Sequence, residues 1–248
     1  MSKKLLAAFG GGCQMQNGAW VPTPAFEIWP LGKDKGRSLT VQPEDDDDPN
    51  SVIAMGRQIL EATILLDHVH NFTKVAIAYG DSSPSLKLAG HPSENQVMSD
   101  LFDQDTATEK TEIFNPNDWG GGNEFSGTYN EARNLLRLVQ RDGFDEVHVL
   151  CRGAHLRAMV CIMVHLNEDE FADLKDKILS GELRIVPHTV EDVLSVRPSN
   201  LEILQKIRNS KSYQRFLLRE GNWIMNWQRK GGTQLIQAPQ TATASTAK

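Results

Sequence analysis

The sequence predicts an α/β fold in which about five strands form a mostly parallel sheet with helices on both faces. Short apolar runs alternate along the chain with longer segments whose apolar residues recur at helical spacing. Glycine, proline and small polar residues separate these segments and are typical of turns. Because strands joined through helices lie parallel, we expect their carboxyl ends to meet at one edge of the sheet, where open α/β sheets bind ligands.

Four apolar runs are predicted to be strands. The clearest is Glu146–Cys151, in which apolar residues alternate along the run. The others span 3–9, 74–79 and 183–186, the last stopping at Pro187, and 111–114 is a candidate for a short fifth strand. Cap residues and helical periodicity predict helices that begin near Asn50 or Ser51, at Ser93, at Thr128, at Ala158, at Asn167 and at Ser199.

Composition and charge exclude several classes of protein. The 248-residue chain has a formal net charge of −6, so it offers no basic field to nucleic-acid phosphates, and we expect no nucleic-acid partner. Cys13, Cys151 and Cys161 lack the spacing of a zinc motif, which argues against a disulfide framework and a structural metal and favours a cytoplasmic compartment. The apolar run at 5–9 is shorter than the roughly 7–15 residues of a signal sequence. No later run approaches the roughly 18 residues of a membrane span, so no membrane partner is expected.

The chain is predicted to form a single domain over residues 1–230, followed by a small, polar and disordered tail at 231–248. Segment 14–50 has no sustained periodicity and carries an acidic run at 44–48, so we interpret it as a loop insertion. Consecutive acids on such a loop are more typical of a solvated surface than of a cation site. Carboxy-terminal helices are expected at 199–230, with an aromatic face that docks on the domain.

Small residues follow two of the predicted strands and are candidates for a ligand site. The second strand ends in Gly80, Asp81 and Ser82, which are typical of polar-ligand sites and equally of ordinary turns. Glycines after the first strand would let a ligand approach the main chain closely, although a tight turn alone also explains them. These glycines are Gly10, Gly11 and Gly12.

Acidic residues at two helix starts add further candidates. Glu94 lies in the first turn of a predicted helix, where the helix dipole favours an acid whatever its function. Thr128 and Glu131 match a T-x-x-E capping box, which would account for Glu131 structurally, and Asn130 lies between them. Both acids therefore have a structural interpretation beside a functional one.

The turn after Glu146–Cys151 is the strongest candidate for chemistry. Arg152 and Arg157 lie at the start of an apolar helix, where guanidinium groups and main-chain donors suit anions. His155 lies between them and is suited to proton transfer near neutral pH, although a helix start alone also accounts for it. A nucleophile pair of Cys151 with His155 is disfavoured, because buried strand cysteines are usually inert.

Two histidines outside this turn are interpreted as surface residues, and a third lies near the other strand-end groups. His68 and His70 lie at the end of the first predicted helix and are more typical of surface residues than of ligands. His188 follows the last predicted strand, at the same edge as the other strand-end groups if the sheet is parallel. We therefore expect no metal site.

These motifs together resemble the bacterial YdcF-like family, which includes SanA and ElyC and is a domain of unknown function. Members share glycines after the first strand, Ser-Gly-Gly after a later strand, an acid soon after, a Ser-x-x-Thr-x-Glu-Asn-Ala helix start and a His-x-x-Arg-Ala turn. The corresponding residues here are Gly10, Gly11 and Gly12, Tyr79-Gly80-Asp81-Ser82, Glu94, Thr128-Tyr129-Asn130-Glu131-Ala132 and His155-Leu156-Arg157-Ala158. The resemblance runs from about residue 3 to about residue 187, with 14–50 as an insertion.

The chain departs from this family pattern at several positions. Its Glu-Asn pair is inverted as Asn130-Glu131, and Asp81 replaces a glycine. If Arg157 keeps the family position, Ala154 stands where the histidine belongs, so either His155 acts from the neighbouring position or the site has lost that function. The resemblance implies a Rossmann-like three-layer sandwich with a polar cleft at the strand ends, and some members are associated with binding of S-adenosylmethionine.

Three functions stay open on the sequence. The first is binding of a small anionic or nucleotide-like molecule, such as S-adenosylmethionine, with Glu94 holding ribose hydroxyls or an amine and arginine holding an anion. The second is hydrolysis or group transfer, with His155 as general acid–base, Arg157 stabilising negative charge and Glu94 or Glu131 as a second titrating group. The third is a non-catalytic interaction protein, in which 14–50 contacts a protein partner and the cleft is vestigial. The sequence identifies no cofactor.

Overall fold

A computed structural model of the chain describes most of the sequence outside several loops and the carboxy terminus. The described residues are 2–10, 12–23, 28–30, 51–53, 56–80, 92–119, 127–153 and 156–229. Expectations for Gly11, the acidic run at 44–48, Asp81, Ser82, Ala154, His155 and the tail at 231–248 lie outside the described residues.

The described residues contain eight strands and eight α-helices. The strands are β1 (Lys4–Ala8), β2 (Cys13–Gln16), β3 (Ala19–Pro22), β4 (Ile28–Pro30), β5 (Ser51–Ile53), β6 (Lys74–Ile77), β7 (Glu146–Cys151) and β8 (Arg184–Thr189). The α-helices are α1 (Gly56–His70), α2 (Glu94–Thr106), α3 (Thr128–Asp142), α4 (Leu156–His165), α5 (Ala172–Ser180), α6 (Val190–Ser195), α7 (Pro198–Asn209) and α8 (Lys211–Arg229), with 3-10 turns at Pro116–Trp119 and Asp169–Phe171.

Four of the described strands form a parallel sheet in the order β6-β1-β7-β8. Successive side chains of a strand face opposite sides, so Leu5 and Ala7 of β1 enter one core and Leu6 and Ala8 the other. Helices α3, α4 and α5 cover the first face, and α1, α2, α6 and α7 cover the second. The predicted Rossmann-like sandwich is therefore confirmed.

The sheet has four strands in the described residues, because the predicted fifth strand at 111–114 forms only an isolated bridge. Thr111 pairs in parallel with Val75 at the outer side of β6. At the opposite edge, β8 is longer than predicted and continues through Pro187 to Thr189. An edge strand tolerates a residue that has no N–H to donate.

Part of segment 14–50 is regular, which corrects its interpretation as a loop insertion. Strands β2 and β3 form an antiparallel hairpin closed by Asn17 and Gly18, whose φ angles are 51° and 81°. Asn-Gly is the pair that a type I′ turn favours, because both positions need positive φ. Strand β4 pairs antiparallel with β5. Residues 51–53 are thus a strand rather than the start of a helix, and α1 begins only at Gly56.

Candidate functional site

The strand order places a topological switch point between β1 and β7. The chain passes from β1 to β6, which lies on one side of β1, and later to β7, which lies on the other side of β1. Crevices at the carboxyl ends of such strands are the usual ligand sites of open α/β sheets. Here the crevice lies between the glycine turn after β1 and the turn at Arg152 and Gly153 after β7.

The glycine turn after β1 adopts backbone angles that suit glycine. Gly10 has a φ of 74° and Gly12 a φ of 120°. A Cβ on Gly12 would lie 2.9 Å from the hydroxyl oxygen of Thr23, and the Thr23 N–H donates to the Gly12 carbonyl at 2.7 Å. The Gly12 N–H in turn donates to the Glu94 carboxylate. The turn therefore holds an acid from a different element at the crevice.

Glu94 is the first residue of α2, and its neighbours fix that helix start beside the sheet. The Ser93 hydroxyl accepts from the Gln96 N–H at 3.1 Å, as the predicted cap requires. The Asn95 amide donates to the Ile77 carbonyl at 2.8 Å and accepts from the Phe114 N–H at 2.7 Å. Helix α2 is thus tied to the end of β6, and its first turn presents Glu94 to the crevice.

Glu131 lies in the first turn of α3, and the predicted capping box is wrong. Gly127 occupies the cap position with a φ of 88°, and no side chain caps the helix. Thr128 is instead the first helical residue, and the Glu131 N–H donates to the Gly127 carbonyl at 3.0 Å. The capping box therefore no longer accounts for the Glu131 carboxylate.

Glu94 is affected electrostatically by Arg152 and in turn acts on Glu131. Burial raises the pKa of Glu94, whereas the Gly12 N–H and the charge of Arg152 oppose that rise. Burial raises the pKa of Glu131 to about 7, and the charge of Glu94 adds to the rise. Burial lowers the pKa of Arg152, opposed by the charges of Glu191 and Glu220. The crevice thus combines two acids that hold their protons more tightly than usual with one arginine.

Apolar side chains surround the Glu131 carboxyl and explain why it is poorly hydrated. They line a recess between the sheet and α3 that is too narrow for a water molecule. Its walls are Ala7, Ala8, Phe9, Ala76, Tyr79 and Leu135, with Glu131. A charged carboxylate in such apolar surroundings loses its hydration, which costs free energy.

Arg157 contacts the carboxy-terminal helix rather than the two acids. Its Nη2 donates to Glu220 Oε1 at 2.6 Å, and its guanidinium lies 4.6 Å from the centroid of the Trp223 ring. The Arg152 guanidinium also lies over an aromatic ring of α8, 4.4 Å from the centroid of Phe216. Both arginines of the turn therefore help to hold α8 against the sheet.

Glu191 and Tyr213 form a second layer behind this turn, which the sequence analysis missed. The Gly153 N–H donates to Glu191 Oε2 at 2.8 Å, and the Tyr213 hydroxyl donates to Glu191 Oε1 at 3.0 Å. A Cβ on Gly153 would lie 3.1 Å from the Tyr213 hydroxyl. The one sequence signal for this contact is the glycine beside Arg152, which allows a close approach of another chain segment.

The remaining predicted site residues lie at the same edge of the sheet or outside the described residues. Gly80 follows β6, and its N–H donates to the Ala78 carbonyl at 2.7 Å. Thr128 and Asn130 lie in the first turn of α3. Burial raises the pKa of Cys151 to about 11, which disfavours a thiolate nucleophile at neutral pH. Gly11, Asp81, Ser82 and His155 lie outside the described residues.

Comparisons of the chain with protein-family models, with curated proteins and with solved structures found no match. The resemblance to the YdcF-like family therefore stays a prediction. None of the described helices is both long and apolar enough to cross a membrane.

Proposed function

We propose that the chain binds a small nucleotide-like molecule at the carboxyl ends of β1 and β7. The observation that supports this proposal is that Glu94 acts electrostatically on Glu131 and is itself affected by Arg152, beside the switch point of the sheet. The three side chains come from α2, α3 and the turn after β7, and the Gly12 N–H holds Glu94 in place. Membership of the YdcF-like family and a cytoplasmic location belong to the same proposal.

The charges of the crevice favour a ligand that carries hydrogen-bond donors as well as an anionic group. Two neighbouring acids repel a simple anion such as phosphate, whereas ribose hydroxyls or an amine can donate to Glu94 and Glu131. Arg152 can hold an anionic group at the other side of the crevice. S-adenosylmethionine carries an amine, ribose hydroxyls and a carboxylate, so it fits this set of groups better than a sugar phosphate does.

Hydrolysis or group transfer is a second candidate, and the pKa of Glu131 favours it. A carboxyl whose pKa is about 7 matches the requirement for a general acid–base at neutral pH. Glu131 would then take the role that the sequence analysis gave to His155. Chromatography of the ligand after incubation distinguishes the two candidates, because an enzyme converts the ligand whereas a binding protein returns it unchanged.

A thermal-shift titration with S-adenosylmethionine, adenosine and inorganic phosphate tests the proposal. Saturating S-adenosylmethionine should raise the melting temperature by several degrees, since ligand at a hundred times its dissociation constant adds about 2.7 kcal/mol. Glu94→Gln should weaken its binding roughly tenfold or more, because a hydrogen bond to a charged group contributes about 1.5–3 kcal/mol.

Asp100→Asn is the matched control for Glu94→Gln. It removes an exposed carboxylate from the same helix, away from the crevice, and should leave ligand binding unchanged. A rise in melting temperature with phosphate alone would indicate that the ligand is a small anion rather than a nucleotide-like molecule. A wild-type protein that responds to none of the three compounds would overturn the proposal and favour the non-catalytic interaction protein.

A further inference from the structure

Three histidines from three distant elements meet on the α1 face of the sheet. His70 is the last residue of α1, His148 lies in β7 and His188 in β8. One ring nitrogen from each lies within 4.8 Å of the others. His148 is 2% exposed, whereas His70 and His188 are half-buried, so the cluster is reachable from solvent.

Strand register and the path of α1 bring these rings together. His188 pairs with Leu150 and Val186 pairs with His148, so both histidines face the side of the sheet that α1 covers. Directly after His70 the chain turns into β6, where the Thr73 N–H donates to the Lys4 carbonyl at 2.9 Å. The end of α1 is thus fixed over the amino end of β1, and His188 reaches the cluster from the carboxyl half of β8.

Glu146 contacts the His148 ring at the nitrogen that does not face His188. His148 Nε2 lies 2.6 Å from Glu146 Oε1, and His148 Nδ1 lies 2.7 Å from His188 Nε2. Because Glu146 accepts at Nε2, the neutral ring directs an unprotonated Nδ1 towards His188. Lys4 and Arg184 contact the same carboxylate at 3.9 and 3.4 Å. The orientation of His148 is therefore set by a group that makes no contact with His188.

We propose that His70, His148 and His188 bind a divalent transition-metal ion of the zinc type. Three imidazoles are a known ligand set of open zinc sites, and imidazole suits zinc, cobalt, nickel and copper rather than magnesium or calcium. A carboxylate that accepts from the outer nitrogen of a ligating histidine is the usual support of such a site. Glu146 occupies that supporting position on His148.

The spacing of the rings is close to that of a tetrahedral site. Zinc–nitrogen bonds of 2.0–2.1 Å place two ligand atoms about 3.3 Å apart. The His148 and His188 nitrogens would open from 2.7 Å by about half an ångström, and His70 would move inwards at the end of its helix. The fourth position then faces solvent beside the two half-buried rings.

Metal uptake by the full chain without a polyhistidine tag tests the site. Chelator-treated protein should bind one Co²⁺ or Zn²⁺ per chain, measured by elemental mass spectrometry, and Co²⁺ should show the visible absorption of a tetrahedral complex. Mg²⁺ should not compete. Glu146→Gln should weaken metal binding roughly 10- to 100-fold, as expected for loss of a group that supports a ligand. His70→Gln and His188→Gln each remove a ligand and should weaken metal binding at least as much.

His68→Gln is the matched control, because His68 is exposed on the last turn of the same helix and lies outside the cluster. It should leave metal binding unchanged. Folded wild-type protein that takes up neither ion would show that the histidines are only hydrogen-bonded to one another, and would overturn the site. Equal losses in His68→Gln and His188→Gln would overturn it too, since they would indicate adsorption to surface histidines. Neither outcome bears on the crevice at the carboxyl ends.

Discussion

Burial and a neighbouring acid act in the same direction on Glu131. The side chain lines an apolar recess beside Leu135, where its charge is poorly hydrated, and Glu94 repels that charge further. Its pKa rises from 4.5 to about 7 on folding. Between these two values the folded protein binds a proton that the unfolded chain has released.

The contribution of Glu131 to the stability of the protein should therefore fall as the pH rises from 4.5 to about 7. Below this range both states hold the proton, and above it the folded state carries a buried charge. Glu131→Gln removes that charge. The difference in free energy of unfolding between this variant and the wild type should shift in favour of the variant by about 2–3 kcal/mol between pH 4 and pH 8. This follows because one pKa unit corresponds to about 1.4 kcal/mol. Chemical denaturation at both pH values measures this difference.

Glu109→Gln is the control for this measurement, because Glu109 is exposed after α2. Its difference from the wild type should not grow between the two pH values. If Glu131→Gln behaved in the same way, the carboxyl of Glu131 would not be buried as described.

The start of α1 is held by Thr23 and lies against the glycine turn. The Gly56 N–H donates to the Thr23 hydroxyl at 2.9 Å, and the Arg57 N–H donates to the Thr23 carbonyl at 3.1 Å. A Cβ on Gly56 would lie 2.2 Å from the Gly12 carbonyl oxygen. Helix α1 can therefore begin against this turn only with a glycine at its first position.

Gly56→Ala should destabilise the protein by about 1–3 kcal/mol, because the added methyl group must push the backbone of the glycine turn aside. Gly221→Ala is the control within α8, where nothing lies within 4 Å of the added Cβ. That substitution should stabilise by about 0.5–1 kcal/mol, as expected for alanine in place of glycine in a helix. Thermal or urea unfolding compares the two. If Gly56→Ala did not destabilise the protein more than Gly221→Ala does, the close approach of Gly56 to Gly12 would be contradicted.

Periodicity predicted the elements better than it predicted their first residues. Strands β1, β6 and β7 lie where their apolar runs indicated. The start of α1 was misplaced, because residues 51–53 pair with β4 as a strand, and a cap at Asn50 or Ser51 is worth only about 1 kcal/mol. The hairpin β2–β3 was missed, although Asn17-Gly18 is its strongest local signal.

The sequence predicts the candidate site as a set of residues at one edge of the sheet, but not which of them are neighbours. Glu94 and Arg152 were chosen because they follow strands or begin helices, but their position relative to Glu131 depends on the strand order of the sheet. The pattern T-x-x-E led to a wrong cap for α3, because Gly127 takes that position with a positive φ. The three histidines could not be grouped from sequence, since only strand register and the end of α1 bring them together.

At the scale of the whole molecule, α8 is attached to the sheet through the turn after β7. Glu220 is 2% exposed and pairs with Arg157, whose guanidinium also lies over Trp223. Tyr213 of the same helix packs into the core on the opposite face. Helix α8 thus contacts both cores, and the pair between Glu220 and Arg157 is its polar attachment to α4.

Removal of either partner should destabilise the protein by about 2–3 kcal/mol, because the other charge loses its partner in a largely buried setting. Glu220→Gln, Arg157→Met and the double substitution form a double-mutant cycle. The double variant should lose clearly less stability than the sum of the two single variants, since neither charge is then left alone. Urea denaturation of the four proteins measures the coupling.

The pair between Lys206 and Glu202 is the control for this cycle, because it lies exposed on α7. Its coupling should be about 0.3–0.5 kcal/mol. A coupling between Arg157 and Glu220 no larger than this would show that α8 is held by apolar contacts alone. If the single variants were as stable as the wild type, Arg157 would not be needed for stability and would be available for the catalytic role considered above.

In the described part of the chain, each edge of the parallel sheet carries a feature that hinders pairing with a second copy of the chain. Beside β6, the Val75 N–H donates to the Lys110 carbonyl at 2.9 Å, and the Glu112 N–H donates to the Val75 carbonyl at 2.8 Å. An ion pair of 2.7 Å between Lys110 and Asp67 fastens that covering segment. On the other side, Pro187 deprives β8 of a main-chain donor. Unpaired sheet edges are where chains join into fibres, so both features disfavour edge-to-edge association of copies of this chain.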